Sequence, residues 1–149
     1  MDSSTPEAGF HQSWHVKMGL NQKFRQALEI IEQLGPEDLD TAKSICRGIQ
    51  AAEMDLLAGA DELMRQCLKG CAGLCCRNVK IDSIISLWDF IYILTMEPAL
   101  QPEISQRLKN EDPIFASDCI FLENSSGPCM FPAGVRPEVC ITTFCGHDH

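Results

Sequence analysis

Apolar residues recur at helical spacing through the first two thirds of the chain. Between Leu20 and Leu34 they are three and four residues apart, which predicts one face of an amphipathic helix. The sequence LGP then predicts a helix end, because Gly35 can adopt a left-handed cap and Pro36 suits the first turn of a new helix. Residues 1–16 show no sustained periodicity and predict a flexible arm.

A second helix is predicted from Pro36 onward, with Glu37 and Asp38 in its first turn, where the helix dipole favours negative charge. Its apolar positions follow one another at helical spacing and predict a buried seam, formed by Ile45, Ile49, Ala52, Leu56, Ala60 and Leu63. Cys67 and Cys71 continue the same spacing. We therefore expect the first cysteines to lie on the buried face.

Two shorter helices are predicted before the C-terminal region. Asp82 is the expected N-cap of the first, which ends before Pro98 because a residue preceding proline avoids the helical region. The second starts at Pro102 and runs to about Lys109. Residues 114–149 contain many Gly and Pro and little periodicity, so we expect a metal site, not apolar packing, to hold them in place.

These elements predict a mainly α fold, in which a small helical domain carries an irregular, cysteine-rich, metal-binding C-terminal region. We divide the chain into the flexible arm at 1–16, an N-terminal helical hairpin at 17–66 and a cysteine-cluster metal-binding region at 67–149. The last two form one compact domain. A length of 149 residues with 45% hydrophobic content suffices for one such core.

Charge and hydropathy limit the classes of partner. Acidic residues outnumber basic ones 21 to 12, the net charge is −9, and the basic residues are scattered, so nucleic acid is not an expected partner. The N-terminus has no basic segment followed by an apolar run, and the longest apolar stretch is too short to cross a bilayer. We expect a soluble, cytoplasmic protein without a membrane partner, in which thiols stay reduced and available to metals.

The cysteines are the main chemical signal. Four of the nine fall within CLKGCAGLCC at residues 67–76, and four more lie in the C-terminal region without an interleaved histidine. Ligand sets made only of sulphur favour an iron–sulphur cluster or a zinc ion and exclude calcium and magnesium. The two groups are Cys67, Cys71, Cys75 and Cys76, and Cys119, Cys129, Cys140 and Cys145. The ninth, Cys46, sits among apolar residues of the second helix and is expected to be a core residue.

The segments CLKGCAGLCC, CIFL, GPCMF and RPEVC resemble the YkgJ-like family of bacteria and archaea, which is described as zinc- or iron-chelating and is named for a CxxCxxCC-type cysteine cluster. The resemblance covers residues 67–145 and implies a positioning role beside the cofactor for Arg136 and Pro137. It implies metal-ligand roles for Cys67, Cys71, Cys75, Cys76, Cys119, Cys129 and Cys140. This chain places three residues, instead of two, between its first cysteines. The pattern also resembles the cluster region of flagellin lysine methylases, which implies an iron–sulphur cluster.

Between the two candidate cofactors we slightly prefer an iron–sulphur cluster. Its irons and sulphides span several ångströms, which suits widely spaced cysteines, whereas a compact zinc tetrahedron needs a chain bend at Gly73. Arg136 would offset the negative charge of the thiolates. The alternative role for Arg136 is a salt bridge on the surface. We predict a binding or electron-transfer module, not a self-contained enzyme, with any protein partner unidentified.

Other readings of the same residues remain open. The alternative function is a thiol redox sensor or oxidoreductase that cycles a disulfide between Cys75 and Cys76 or between Cys67 and Cys71. A disulfide-built scaffold is disfavoured by the odd number of cysteines. No phosphate-binding loop, nucleophile elbow or paired acid and base is visible, which disfavours a hydrolase. The histidines at 11, 15, 147 and 149 could add nitrogen ligands but suit exposed termini better.

Overall fold

The computed structural model describes residues 18–59, 76–77, 79–110, 118–123 and 128–142. Over these ranges the chain is mainly helical, as predicted, and its extended pairing consists of isolated bridges. The α-helices are α1 (Leu20–Gln33), α2 (Pro36–Gly59), α3 (Ile81–Ile84), α4 (Leu87–Met96), α5 (Gln101–Lys109) and α6 (Glu138–Thr142), and 3₁₀ turns occupy Pro98–Leu100 and Ala133–Val135. In the described part, none of the helices has the length and apolar character needed to span a bilayer. The predicted arm at 1–16 and the predicted boundary at 66 and 67 lie outside these ranges.

Helix α1 forms as its periodicity predicts and buries Leu20, Phe24 and Ala27. Its C-terminus differs from the prediction, because Gly35 is not left-handed. Leu34 instead adopts an extended conformation and ends the helix. The carbonyl of Gly35 accepts a hydrogen bond of 2.9 Å from the backbone N–H of Leu39, so this glycine opens α2 and does not close α1.

The predicted buried seam of α2 is wrong for its described members. Its described members form an exposed row, called here the α2 stripe, which consists of Ile45, Ile49, Ala52 and Leu56. The buried side chains of α2 are Cys46, as predicted, and Leu57. The remaining predicted members of the seam, Ala60, Leu63, Cys67 and Cys71, lie outside the described residues.

Polar contacts explain why α2 turns a different face to the core. The amide of Gln50 donates to the carbonyl of Gly134 at 2.8 Å, and the carboxylate of Glu53 contacts the hydroxyl of Tyr92 at 3.1 Å. Both partners are distant in sequence, so hydrophobic periodicity alone does not reveal them. Half-buried polar side chains with such partners can lie at a helix interface at little cost.

The third predicted helix is divided into α3 and α4, and Asp82 is not its N-cap. Ser86 caps α4 by accepting a hydrogen bond from the N–H of Asp89 at 3.2 Å, while the Asp89 carboxylate accepts one from the N–H of Ser86 at 2.7 Å. This reciprocal capping box favours a helix start at Leu87. Helix α4 ends before Pro98, and α5 occupies the predicted fourth helix.

A row of aromatic rings joins the helices to the C-terminal region. Phe24 of α1 meets Phe90 of α4 at 5.4 Å between ring centroids, Phe90 meets Phe121 at 6.3 Å, and Phe121 meets Phe131 at 4.7 Å. All four rings are buried. The expectation that residues after 114 contribute little apolar packing is therefore wrong for their described part, because an irregular backbone also buries aromatic side chains.

Candidate metal centre

Cys76 and Cys119 come from different cysteine groups and lie on adjacent chain segments. Arg77 and Asp118 form an isolated antiparallel bridge, and the N–H of Cys119 donates to the carbonyl of Cys76 at 2.8 Å. Residues opposite each other in antiparallel pairing carry their side chains on the same face, with Cβ atoms roughly 4.5–5.5 Å apart. The end of the first group therefore adjoins the start of the second.

Cys129 lies on a segment that pairs with the turn following Cys119. The N–H of Leu122 closes this turn on the carbonyl of Cys119 at 3.2 Å, and Leu122 forms an antiparallel bridge with Cys129. The N–H of Met130 donates to the carbonyl of Phe121 at 2.8 Å. Because Phe121 and Leu122 are fully buried, their packing anchors both segments to the core.

Cys140 is positioned by the two residues that the resemblance singles out. Its N–H donates to the carbonyl of Pro137 at 2.8 Å in the first turn of α6. Pro137 is fully buried, and Arg136 is only 8% exposed. The Nε of Arg136 donates to the carbonyl of Phe131 at 3.0 Å. Burial therefore argues against the surface salt bridge that was the alternative for Arg136, and its hydrogen bond connects the start of α6 to the Cys129 segment.

Arg107 is a positioning residue that the sequence pattern does not indicate. From the last turn of α5, its Nη1 donates to the carbonyls of Ile120 and Leu122, at 3.2 and 2.5 Å. Its Nη2 contacts Glu103 at 3.2 Å on the same helix. A basic residue near a helix C-terminus ordinarily suggests only a favourable interaction with the helix dipole. Here it also holds the turn that begins at Cys119.

A hydrogen-bonded cluster joins α2 to the 3₁₀ turn before Arg136. The carbonyl of Gly134 accepts from Gln50 at 2.8 Å and lies 3.0 Å from the hydroxyl of Tyr92, which also contacts Glu53. Burial raises the pKa of the Glu53 carboxyl, and the nearby carboxylates of Glu138 and Asp89 raise it further, although the Tyr92 hydrogen bond lowers it. The cluster fixes the backbone that leads into α6.

Cys46 stands apart from the candidate centre. It is buried on α2, and burial raises the pKa of its thiol above the ordinary value of 9.0. A raised pKa keeps the thiol protonated at neutral pH, whereas metals bind the thiolate. The structure therefore confirms the predicted buried position of Cys46 and supports a packing role for it.

The described ranges hold half of the predicted ligand set. Cys76, Cys119, Cys129 and Cys140 lie within them, whereas Cys67, Cys71, Cys75 and Cys145 lie outside, as do all four histidines. Among the described residues, no three His, Cys, Asp or Glu side chains are grouped so that they could hold a metal ion. Metal binding therefore stays a prediction.

Comparisons with protein-family models, with curated proteins and with solved structures found no match to this chain. The resemblance carried by the cysteine segments stays a prediction as well. Function is accordingly inferred from the residues of this chain.

Proposed function

We propose that this protein binds an iron–sulphur cluster or a zinc ion through thiolates from both cysteine groups. The observation that carries this proposal is the 2.8 Å hydrogen bond from the N–H of Cys119 to the carbonyl of Cys76, beside the bridge between Arg77 and Asp118. It brings residues about forty positions apart in the sequence side by side. A metal site built from both groups needs such a juxtaposition.

The donor chemistry fits the cofactor. Ligand sulphurs at about 2.3 Å from a zinc ion lie within about 4 Å of one another, and opposed residues with Cβ atoms roughly 5 Å apart can reach that separation. A cluster accepts wider spacing and, when bound, supplies electron transfer. The thiolates in this proposal are those of Cys67, Cys71, Cys75, Cys76, Cys119, Cys129, Cys140 and Cys145.

Two arginines support the proposal by holding the cysteine-bearing segments. Arg107 binds the carbonyls of the turn after Cys119, and Arg136 binds a carbonyl next to the Cys129 segment. Several thiolates in one site carry net negative charge, which nearby guanidinium groups offset. In a chain with a net charge of −9, two cations on the segments that carry the cysteines would lower the cost of gathering thiolates.

The biological role that fits best is a binding or electron-transfer module in a reducing compartment such as the cytoplasm. Thiols remain reduced there and available to soft metals. We slightly favour an iron–sulphur cluster, since the cysteines are widely spaced in the sequence.

Cofactor analysis of anaerobically purified protein tests the proposal. We expect stoichiometric iron and sulphide with broad absorption near roughly 400 nm, or stoichiometric zinc without colour. Cys119→Ala is expected to lose at least about half of the bound metal, because it removes a thiolate from the junction of the two groups. Cys46→Ala is the matched control and should keep it. Less than about half a metal ion per chain in the unaltered protein, or equal loss in both variants, would refute the proposal.

A second candidate is a thiol redox protein. The disulfide pairs predicted for it from the sequence include Cys67, Cys71 or Cys75, which lie outside the described residues, and the position of Cys76 opposite Cys119 offers a further pair. Opposed residues in antiparallel pairing can approach the Cβ separation of about 3.5–4.5 Å that a disulfide requires. In the exchange, two thiols would be oxidised to one disulfide while an external disulfide is reduced to two thiols. Thiol titration separates the candidates: reactive thiols that cycle without loss of metal favour redox exchange, whereas protected thiols that become reactive on chelation favour metal ligation.

A further inference from the structure

The α2 stripe is an apolar surface that the described part of the protein leaves exposed. Ile45 is 60%, Ile49 44% and Leu56 51% exposed, and Ala52 is exposed as well. Spacings of four, three and four residues place them on one side of the helix over about 16 Å. Single exposed apolar side chains are ordinary, whereas a continuous row with a polar rim marks an interaction surface.

Carboxylates form the rim of the α2 stripe. Glu53 lies one turn after Ile49 on one side, and Asp55 lies one turn after Ala52 on the other. Asp38 lies in line with the stripe, two turns before its first residue. Glu53 is half-buried against Tyr92, so the accessible negative charge lies on the Asp55 side of the row and at its N-terminal end.

Neither basic residue within α2 neutralises this rim. Lys43 and Arg47 are each two residues from Ile45. This spacing places both on the opposite side of the helix from the stripe. Apolar contact and negative potential therefore coincide along one face.

We propose that the α2 stripe binds a positively charged amphipathic helix of a partner protein. Apolar side chains of that helix would pack on the two isoleucines and the leucine, and its flanking Lys or Arg residues would face the exposed carboxylates of Asp55 and Asp38. A second copy of this chain is a poorer occupant, because it brings the same carboxylates and a net charge of −9. The proposal for this surface does not rest on the proposed metal site.

A synthetic peptide probes this surface directly. We would titrate the full-length protein into a fluorescein-labelled helical peptide with leucines on one face and lysines on the others, and measure anisotropy. Ile49→Glu is expected to weaken binding at least about tenfold, because it places a charge in the apolar contact. Asp55→Lys should also weaken binding, since it reverses the charge of the rim, and added salt should do the same.

Met54→Glu is the matched control. Met54 is 46% exposed on the same helix, but its position five residues after Ile49 puts it on another side, so the variant should change affinity less than about twofold. The uncharged variant Ile45→Ser should weaken peptide binding as well. Circular dichroism verifies that each variant is folded. The proposal is overturned by absence of peptide binding, by equal binding of a scrambled peptide or by equal losses in Ile49→Glu and Met54→Glu. It is also overturned if sedimentation reveals a dimer that Ile49→Glu dissociates.

Discussion

The hydroxyl of Tyr92 lies 3.1 Å from a carboxylate oxygen of Glu53, which joins the middle of α4 to the second half of α2. The same hydroxyl lies 3.0 Å from the carbonyl of Gly134. Burial raises the pKa of Tyr92, and the charge of Glu53 raises it further, so the hydroxyl stays protonated and can donate. This contact lies on the inward face of α2, together with the Gln50 hydrogen bond and the buried side chains of Cys46 and Leu57.

Removing the hydroxyl should destabilise the protein. Tyr92→Phe leaves the Gly134 carbonyl and Glu53 with one donor fewer at a half-buried site, so we expect a loss of about 1–3 kcal/mol in the free energy of unfolding. Urea denaturation measures it. Thr41→Ala is the control, because Thr41 donates to the carbonyl of Glu37 on the exposed surface of α2, and its effect should stay within about 0.5 kcal/mol. Equal effects of the two variants would contradict the prediction.

The raised pKa of Glu53 predicts a pH dependence of stability. An acid whose pKa rises on folding binds more protons in the native state, so its stabilising contribution is complete below the ordinary pKa of 4.5 and is lost as pH rises through the native pKa. Glu53→Gln should therefore match the unaltered protein near pH 4 and exceed it in stability near pH 7. Urea unfolding midpoints at both pH values test this prediction. Thr41→Ala is the control and should follow the pH profile of the unaltered protein. A greater advantage of the glutamine variant at the lower pH would contradict it.

Phe121 should be essential to the whole fold and not only to the C-terminal region. Its ring lies between those of Phe90 and Phe131, so Phe121→Ala is expected to cost about 3–5 kcal/mol. Because the aromatic row connects both regions, helical and aromatic circular dichroism should report one shared unfolding transition. Trp88→Ala, at a site 72% exposed, should change stability by less than about 0.5 kcal/mol. Separate transitions would show that the C-terminal region unfolds independently of the helices.

The helices were predictable because their signals are local. Periodicity identifies α1, and proline marks the start of α2 and the end of α4. The inward face of α2 was not predictable, because it depends on Gln50 and Glu53 finding partners more than thirty residues away. Periodicity assigns the buried face to the most apolar row, and here that row is exposed.

Arg107 should hold the turn after Cys119. Arg107→Met removes two hydrogen bonds to carbonyls at a half-buried site, and we expect a loss of about 1–3 kcal/mol in the free energy of unfolding. If the proposed centre exists, the variant should also release metal faster to a chelator, because the Cys119 turn is less well held. Glu103→Gln is the matched control, since it removes only the exposed ion pair and should cost less than about 1 kcal/mol. Similar unfolding curves for the two variants would exclude a positioning role.

Two glycine substitutions should have opposite effects. Gly48 lies inside α2 with open space where the Cβ atom of an alanine would lie, so Gly48→Ala should stabilise the protein by about 0.5–1 kcal/mol. At Gly134 a Cβ atom would lie 3.0 Å from the Gln50 amide, so Gly134→Ala should disturb that hydrogen bond and cost about 0.5–1.5 kcal/mol. Thermal or urea unfolding compares them, and a shift of the same sign in both variants would contradict the expected packing.

The candidate centre was predictable in its residue types but not in its arrangement. Sulphur ligands and their two groups can be seen in the sequence. The neighbour of Cys76 instead depends on how the chain between them, including α3, α4 and α5, places Asp118 and Cys119. The holding role of Arg107 could not be deduced either, since it acts on two backbone carbonyls. For Arg136 the resemblance implied a positioning role, but not its partner, the carbonyl of Phe131. Backbone carbonyls carry no residue-specific sequence signal.

The contact between Cys76 and Cys119 also bears on the order of folding. The chain between them contains α3, α4 and α5, so their hydrogen bond closes a loop of about forty residues. Closing such a loop costs conformational entropy. Local helix formation does not offset this cost, which is offset only when tertiary packing begins. We therefore expect the helices to form early and the two cysteine groups to meet late, which leaves a newly synthesised chain with its thiols separated until α4 and α5 have packed.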